Sequence, residues 1–193
     1  HTNWQYIHPV VRRHYAKRVC VLGAESTGTT TLSKALANHY KTAWVPEYGR
    51  YYTESLNDPA HEWHSQEFTH IAAKQQAMEH QLAGESNGLL ICDTNAFATR
   101  LWHKRYMGTW SDTVDQIAKH DNPELYILTG DEIPFVQDGI RDGEHLRHDM
   151  HKKFKQELAI SGTPFIEVRG DIEQRLVLAT KTINNLLKRK ITI

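Results

Sequence analysis

The stretch from Arg18 to Leu32, RVCVLGAESTGTTTL, constrains the fold more than any other part of the chain. It opens with a continuous apolar run, which is typical of a parallel strand buried on both faces. Gly23 interrupts this run, and after Gly28 the apolar residues follow the spacing of a helix. The spacing of the two glycines matches a phosphate-binding loop, in which backbone N–H groups and a helix N-terminus hold phosphate. The stretch therefore predicts a strand, a phosphate-binding loop and a helix, in that order.

One position of this loop departs from the usual pattern G-x-x-x-x-G-K-S/T. Thr29 stands where a lysine would reach the outer phosphates of a nucleotide, whereas Thr30 keeps the hydroxyl that binds Mg²⁺. The alternative is that the glycines serve only a tight strand-to-helix turn, but the order of strand, loop and helix favours phosphate binding. The residues expected to contact ATP are Gly23, Glu25, Ser26, Thr27, Gly28, Thr29, Thr30 and Thr31.

Composition narrows the class of protein. A chain of 193 residues with 39% hydrophobic content can bury the core of one ordinary domain without a disulfide or a metal. The 23 basic residues balance 23 acidic ones, which argues against a nucleic-acid or membrane-surface partner. Cys20 and Cys92 both lie in apolar runs and are expected to be buried thiols. With no apolar run of membrane-spanning length and no signal-peptide core, we expect a cytoplasmic protein.

The first 16 residues are interpreted as a linker. They begin without methionine and mix aromatic and basic residues around Pro9. We therefore expect a linker over residues 1–16, a kinase-type domain over residues 17–193, and a missing upstream part of a longer protein.

The rest of the chain alternates short apolar runs with amphipathic segments. This alternation predicts an α/β fold of three layers, the P-loop NTPase or nucleoside-kinase type, with a five-stranded parallel sheet and a lid. The predicted strands are 19–22, 42–45, 88–93, 125–129 and 164–168. The predicted helices are 30–40, 61–85, one opening at 94–95 and ending at 106, 109–119, one ending at 158, and 172–187.

Charged residues follow two of these strands. Glu47 and Arg50 come just after the second strand, and Asp93 ends the third. In open α/β sheets ligands bind beyond the carboxyl ends of the strands, so these side chains are expected beside the phosphates. Asp93 resembles the carboxylate that holds Mg²⁺ in P-loop phosphotransferases. The alternatives are a surface helix start at Glu47 and a helix cap at Asp93.

A loop without regular structure is expected at residues 130–143, GDEIPFVQDGIRDG. Arg141 lies in it, and Arg147 follows in the next helix. Nucleotide kinases keep a closing lid at this place, after the fourth strand.

With all five strands placed, residues 17 to about 187 resemble the ribosylnicotinamide kinase domain of the NadR family. The family's G-x-E-S-S/T-G-K-S/T loop corresponds to GAESTGTT, and its E-Y-G-R stands at Glu47 to Arg50. Its D-T-D/N stands at Asp93 to Asn95, and its D-G-x-R at Asp138 to Arg141. The upstream WQYIHPVVRRHY is similar to the join with the family's nicotinamide mononucleotide adenylyltransferase domain.

This resemblance implies that ATP, with Mg²⁺, phosphorylates the ribose 5′-hydroxyl of nicotinamide riboside to give nicotinamide mononucleotide. It implies substrate contacts at Glu47, Tyr48, Asp93, Asn95, Trp102, Tyr106 and Asp138. The aromatic members and Tyr51 could stack on the pyridinium cation, worth ~1 to 2 kcal/mol, although each could instead pack in the core.

Roles follow for the charged residues. Thr30 and Asp93 are expected to hold Mg²⁺, and Arg141 with Arg147 to close over the transferring phosphoryl group. Glu47 or Asp93 would take the hydroxyl proton. Arg50 would either fix Glu47 or contact phosphate. The alternative function is a nucleotide-binding sensor with little kinase activity, because the loop lacks its lysine.

Overall fold

A five-stranded parallel sheet forms the centre of the computed structural model, which describes residues 3–58, 60–120, 122–135 and 144–188. The strand order is β2-β3-β1-β4-β5. The strands are β1 (Lys17–Leu22), β2 (Trp44–Val45), β3 (Leu89–Asp93), β4 (Leu125–Thr129) and β5 (Phe165–Val168). The predicted α/β class and the parallel sheet are confirmed.

Eight α-helices are present in the described ranges, after a short 3-10 helix at Trp4–Tyr6. They are α1 (Pro9–Tyr15), α2 (Thr29–Tyr40), α3 (Tyr48–Leu56), α4 (Ser65–Glu85), α5 (Ala96–Met107), α6 (Asp112–His120), α7 (Glu144–Ser161) and α8 (Ile172–Lys188). None of these helices is long and apolar enough to cross a membrane.

Alternate residues of each central strand serve the two faces of the sheet. In β1, Val19 and Val21 pack with Leu32 and Leu36 of α2 and with α8. Cys20 and Leu22 point the other way, into a cluster built from α4, α5 and α7. Because helices cover both faces, the buried parts of the central strands carry mainly apolar side chains on both faces, as is typical of parallel strands between two layers. Burial also raises the pKa of both cysteine thiols, so these free thiols stay protonated at neutral pH.

The second strand is shorter than predicted. The backbone N–H of Thr42 donates to the Ala37 carbonyl at 3.0 Å, and its hydroxyl donates to the Leu89 carbonyl. Thr42 thus ends the turn after α2, and only Trp44 and Val45 pair with β3.

Two helices depart from the prediction. The segment after β2 forms α3, and the long helix begins at Ser65 and not at residue 61. A capping box explains the later start, because Glu67 accepts from the His64 N–H at 2.7 Å while the His64 side chain accepts from the N–H of Glu67.

The N-terminal segment that is predicted to be a linker contains helix α1. Helix α1 packs along α4, where the backbone of Pro9 lies so close to Gly84 that a Cβ there would be 3.1 Å from the Pro9 carbonyl oxygen. The Trp4 indole N–H donates to the Ser86 carbonyl at 2.7 Å. This segment therefore belongs to the packed structure.

The buried sheet predicts a matched pair of stability effects. Ile127 of β4 is 0% exposed, whereas Ile160 of α7 is 76% exposed. We expect Ile127→Ala to lower the free energy of unfolding by about 2 to 5 kcal/mol, and Ile160→Ala to change it by less than about 0.5 kcal/mol. Urea denaturation of both variants measures the difference, and equal effects would contradict the described core.

Candidate active site

The loop between β1 and α2 has the backbone of a phosphate-binding loop. Ser26 and Gly28 adopt left-handed conformations, with φ of 56° and 83°. Gly28 is the N-cap of α2, which begins at Thr29. The loop thus leads directly into a helix N-terminus, where unpaired N–H groups and the helix dipole favour an anion.

Gly23 is required because three residues meet at the base of this loop. A Cβ at Gly23 would collide with the hydroxyl of Thr129 and would lie 2.6 Å from that of Thr27. The two hydroxyls are 2.7 Å apart, and Thr27 donates to the Ala24 carbonyl at 2.7 Å. A larger residue at position 23 would separate the loop from β4.

Asp93 ends β3 directly beside the loop. It is 1% exposed and lies opposite Val21 of β1. Burial raises the pKa of Asp93, and hydrogen bonding with the Thr30 and Thr29 hydroxyls lowers it by less. Its Oδ1 is buried with no hydrogen-bond partner in the described part of the chain. A buried carboxylate oxygen without a partner is costly, so this atom is suited to a metal, a water or a substrate hydroxyl.

Thr29 contacts the same carboxylate. Its hydroxyl acts on Asp93 by hydrogen bonding, alongside that of Thr30. Lys34 and Arg50 also lower the pKa of Asp93 by their charge, so cations lie within electrostatic reach of the carboxylate.

Glu47 and Arg50 enter the site from the start of α3. Glu47 is the N-cap residue of α3, and both side chains line the cleft beside the loop. Arg50 is 41% exposed and pairs with Glu54 at 2.9 Å. Both residues therefore lie at the cleft that contains the phosphate-binding loop, and the helix start given as the alternative is also present.

A cleft of about 1110 Å³ extends from the loop to a wall of aromatic side chains. Trp63 precedes α4, Phe68 lies in the first turn of α4, and Tyr106 belongs to α5. The ring centroid of Tyr106 is 5.5 Å from that of Trp63 and 5.8 Å from that of Phe68. Trp102 also lines the cleft while its other edge packs against Phe154. The phosphate loop, Glu47 and the aromatic wall thus share one space, whereas Asp93 is not among the lining residues and bonds to Thr29 and Thr30, which are.

Several predicted site residues do not line this cleft. The Tyr48 hydroxyl lies 3.1 Å from His70, and Tyr51 is 65% exposed. Asn95 is the N-cap of α5 and donates to the Tyr126 hydroxyl at 3.1 Å. Arg147 is buried and donates to the Ile133 carbonyl at 2.6 Å.

The reason is local in each case. Helix α3 turns Tyr48 and Tyr51 toward each other, with ring centroids 5.9 Å apart. The Asn95 side chain caps the start of α5 by accepting from the Phe97 N–H. The Thr27 side chain donates to the Ala24 carbonyl at the base of the loop, whereas the other predicted loop residues line the cleft. Asp138 and Arg141 lie outside the described residues.

Sequence reasoning missed Gln75. This residue of α4 is 1% exposed, accepts from the Tyr48 N–H at 2.8 Å and donates to the Thr94 carbonyl at 3.5 Å. It thereby ties the start of α3 to the end of β3. A polar residue among the inward positions of a helix is the only signal in the sequence. Trp63 and Phe68 were also missed, because in the sequence their spacing is only that of an apolar stripe on the predicted helix 61–85.

The model of the AAA domain family AAA_28 matches residues 18–175, which is most of the chain. The chain belongs to this family. Among curated relatives, the trifunctional NAD biosynthesis/regulator protein NadR of Salmonella typhimurium is 26% identical over 205 residues, covering 95% of this chain and 46% of the relative. The protein of the same name from Escherichia coli is 30% identical over 139 residues, covering 72% of this chain and 34% of that relative. The chain spans less than half the length of these relatives.

Solved structures show the same fold. A NadR protein in complex with NR matches with a TM-score of 0.77 at 24% identity, over 100% of this chain and 57% of that one. A NadR protein in complex with NAD and AMP-PNP matches with a TM-score of 0.79 at 24% identity, over 100% of this chain and 55% of that one. A thymidylate kinase from Ehrlichia chaffeensis matches with a TM-score of 0.63 at 14% identity, over 87% of this chain and 98% of that one. The resemblance of this chain to the NadR kinase domain is confirmed, and its fold is shared with a nucleotide kinase.

Asp93→Asn separates stability from activity. Because the folded protein raises the pKa of Asp93 above its unfolded value, its ionised form destabilises the fold at neutral pH, and this cost disappears below the unfolded pKa. We expect the variant to be at least as stable as the parent at pH 7, by urea denaturation, while losing more than about a hundredfold in turnover.

The control is Asp149→Asn, whose side chain is 81% exposed and which should change neither quantity. Parental activity of Asp93→Asn would assign the base to Glu47.

Proposed function

We propose that this domain uses ATP and Mg²⁺ to phosphorylate the ribose 5′-hydroxyl of nicotinamide riboside, giving nicotinamide mononucleotide in NAD salvage. The observation that supports it best is the cleft that joins the Gly23–Thr31 loop to an aromatic wall, with the hydroxyls of Thr29 and Thr30 in this loop bonded to the Asp93 carboxylate. Relatives named as NAD biosynthesis proteins and a structural neighbour in complex with NR favour this acceptor.

Phosphoryl transfer requires mainly positioning and charge neutralisation. The N–H groups of the loop from Glu25 to Thr30 would hold the β-phosphate, and Arg50 lines the same cleft. Arg141 is proposed to close over the transferring group from the segment that follows β4. Arg147 is bonded to the Ile133 carbonyl, so we assign it to holding the base of that segment.

The residues at the loop fit Mg²⁺. Oδ1 of Asp93 is buried without a partner, and the Thr30 hydroxyl is beside the same carboxylate. These two residues would hold the ion directly or through water, and when bound it would neutralise phosphate charge. Within the described ranges no group of three or more His, Cys, Asp or Glu side chains could hold a metal, so the phosphates would supply the other ligands.

The acceptor would lie against the aromatic wall. A pyridinium ring over Trp63, Trp102 or Tyr106 would gain cation–π attraction of ~1 to 2 kcal/mol. Its hydroxyl would then face Asp93 or Glu47, either of which can accept the proton. We place the reaction in the cytoplasm, because free thiols are typical of a reducing compartment. We also propose that the full protein carries an adenylyltransferase domain upstream of this one.

A second candidate function is a nucleotide sensor with little turnover. Thr29 is the observation that favours it, because one missing charge-stabilising donor costs ~2.7 to 4 kcal/mol, or about a hundred- to thousandfold in rate.

Both functions require ATP binding at the loop. Ligand at about a hundred times its dissociation constant stabilises the folded state by ~2.7 kcal/mol, so ATP with Mg²⁺ should raise the melting temperature by about 5 to 10 °C. Differential scanning fluorimetry measures this, with nicotinamide riboside alone and Mg²⁺ alone as controls. No shift with any nucleoside triphosphate at millimolar concentration would contradict a phosphate-binding loop.

A product assay distinguishes kinase from sensor. With ATP and Mg²⁺ the parent protein should convert nicotinamide riboside to its 5′-monophosphate faster than other nucleosides. We expect Thr29→Lys to raise kcat far less than the hundred- to thousandfold that an uncompensated donor is worth, because Arg50 or Arg141 compensates. Asn38→Lys adds the same charge on the exposed side of α2 and is the matched control. An inactive parent that Thr29→Lys converts to a riboside kinase would establish the sensor instead.

A further inference from the structure

A buried arginine lies behind the phosphate-binding loop. Arg175 is in the first turn of α8, is 3% exposed, and was not expected from any motif. The start of α8 is fixed by a reciprocal pair, in which Asp171 accepts from the Gln174 N–H at 2.8 Å and Gln174 accepts from the Asp171 N–H at 3.0 Å. A charge is removed from water only at considerable cost, so the contacts of this guanidinium carry information about its role.

The guanidinium joins the loops that follow three strands. Nη1 donates to the Thr27 carbonyl in the loop after β1, at 2.5 Å. Nη2 donates to the Gly130 carbonyl after β4 at 3.1 Å, and to Glu132 at 2.7 Å. Glu132 in turn accepts from the Gly170 N–H after β5 at 2.7 Å. All three loops lie at the carboxyl edge of the sheet, where ligands bind in folds of this kind.

The bond to Thr27 determines how the loop presents its backbone. In a planar trans peptide the C=O and N–H groups point in opposite directions. Because the Thr27 carbonyl points to the buried guanidinium, the N–H of Gly28 points away from it, to the side on which Gly28 lines the cleft. Gly28 itself packs on Arg175, since a Cβ there would be 3.5 Å from Nη1.

The guanidinium does not itself supply the missing lysine charge. Its partner Glu132 is ionised, since hydrogen bonds from Arg175 and Gly170 outweigh burial and lower its pKa. The pair is therefore close to neutral, and its effect on a nucleotide must come from geometry.

We propose that Arg175 is a positioning residue for the nucleotide: by holding the Thr27 carbonyl, it keeps the Gly28 N–H directed at the phosphate. The role rests on ATP binding at this loop, as proposed above, and not on the identity of the acceptor. Lysine cannot replace it, because a single ammonium lacks the planar fork that reaches Thr27, Gly130 and Glu132 together.

The test compares two arginines of one network. Arg175→Lys should raise the calorimetric dissociation constant of ATP with Mg²⁺ by about tenfold or more, since a hydrogen bond to a charged group is worth about that factor. The dissociation constant of nicotinamide riboside should change by less than about twofold. Arg169→Lys is the matched control, because Arg169 is half exposed and bonds to the carboxylates of Glu132 and Glu167. It should leave both constants within about twofold.

The dissociation constants are measured well below the melting temperature of every variant, so that a loss of affinity does not come from unfolding. Arg175→Ala is the second variant, and low millimolar guanidinium should restore part of its ATP affinity, whereas urea should not. Unchanged ATP affinity in Arg175→Lys, or an equal loss in both lysine variants, would overturn the proposal. A parent protein that binds ATP but phosphorylates no riboside would refute the proposed reaction while the affinity ratio still decides the role of Arg175. A parent that binds no ATP would overturn both.

Discussion

The site depends on the parallel pairing of β1 with β3. Val21 lies opposite Asp93, and the Thr94 N–H donates to the Val21 carbonyl at 2.8 Å. This register sets the carboxylate beside the loop that leaves β1, although some seventy residues separate them in the chain. A shift by one residue would turn Asp93 to the other face of the sheet, because side chains alternate along a strand.

Burial gives the carboxylate its chemical character. Asp93 is enclosed between Thr29, Thr30 and the apolar strands, so desolvation raises its pKa while the two hydroxyls limit the rise. The same enclosure leaves Oδ1 without a partner in the described residues. A buried and unsatisfied group of this kind is stable only because the surrounding sheet and helices hold it, which is common where proteins bind or transform ligands.

Much of this arrangement follows from local sequence. The apolar runs at β1, β3 and β4 are long enough to be identified as buried strands, and the spacing of Gly23 and Gly28 requires a loop that leads into a helix. The positions of Glu47 and Arg50 after a strand place them at the cleft, and the position of Asp93 at the end of a strand places it beside the phosphate-binding loop, by the geometry of parallel sheets. Tyr48, Tyr51 and Asn95 do not line the cleft, because their neighbours in α3 and α5 engage them first.

The sequence by itself determined the class of fold, the phosphate-binding loop and the carboxylate at its side, because glycine spacing and apolar runs act over a few residues. Only the tertiary structure decided that Gln75 ties α3 to β3, that Trp63 and Phe68 form a cleft wall, and that Arg175 supports the loop. The Thr27 carbonyl and the Arg175 guanidinium are 148 residues apart. A contact over such a distance depends on how helices pack on the sheet, and neither residue type nor spacing indicates it.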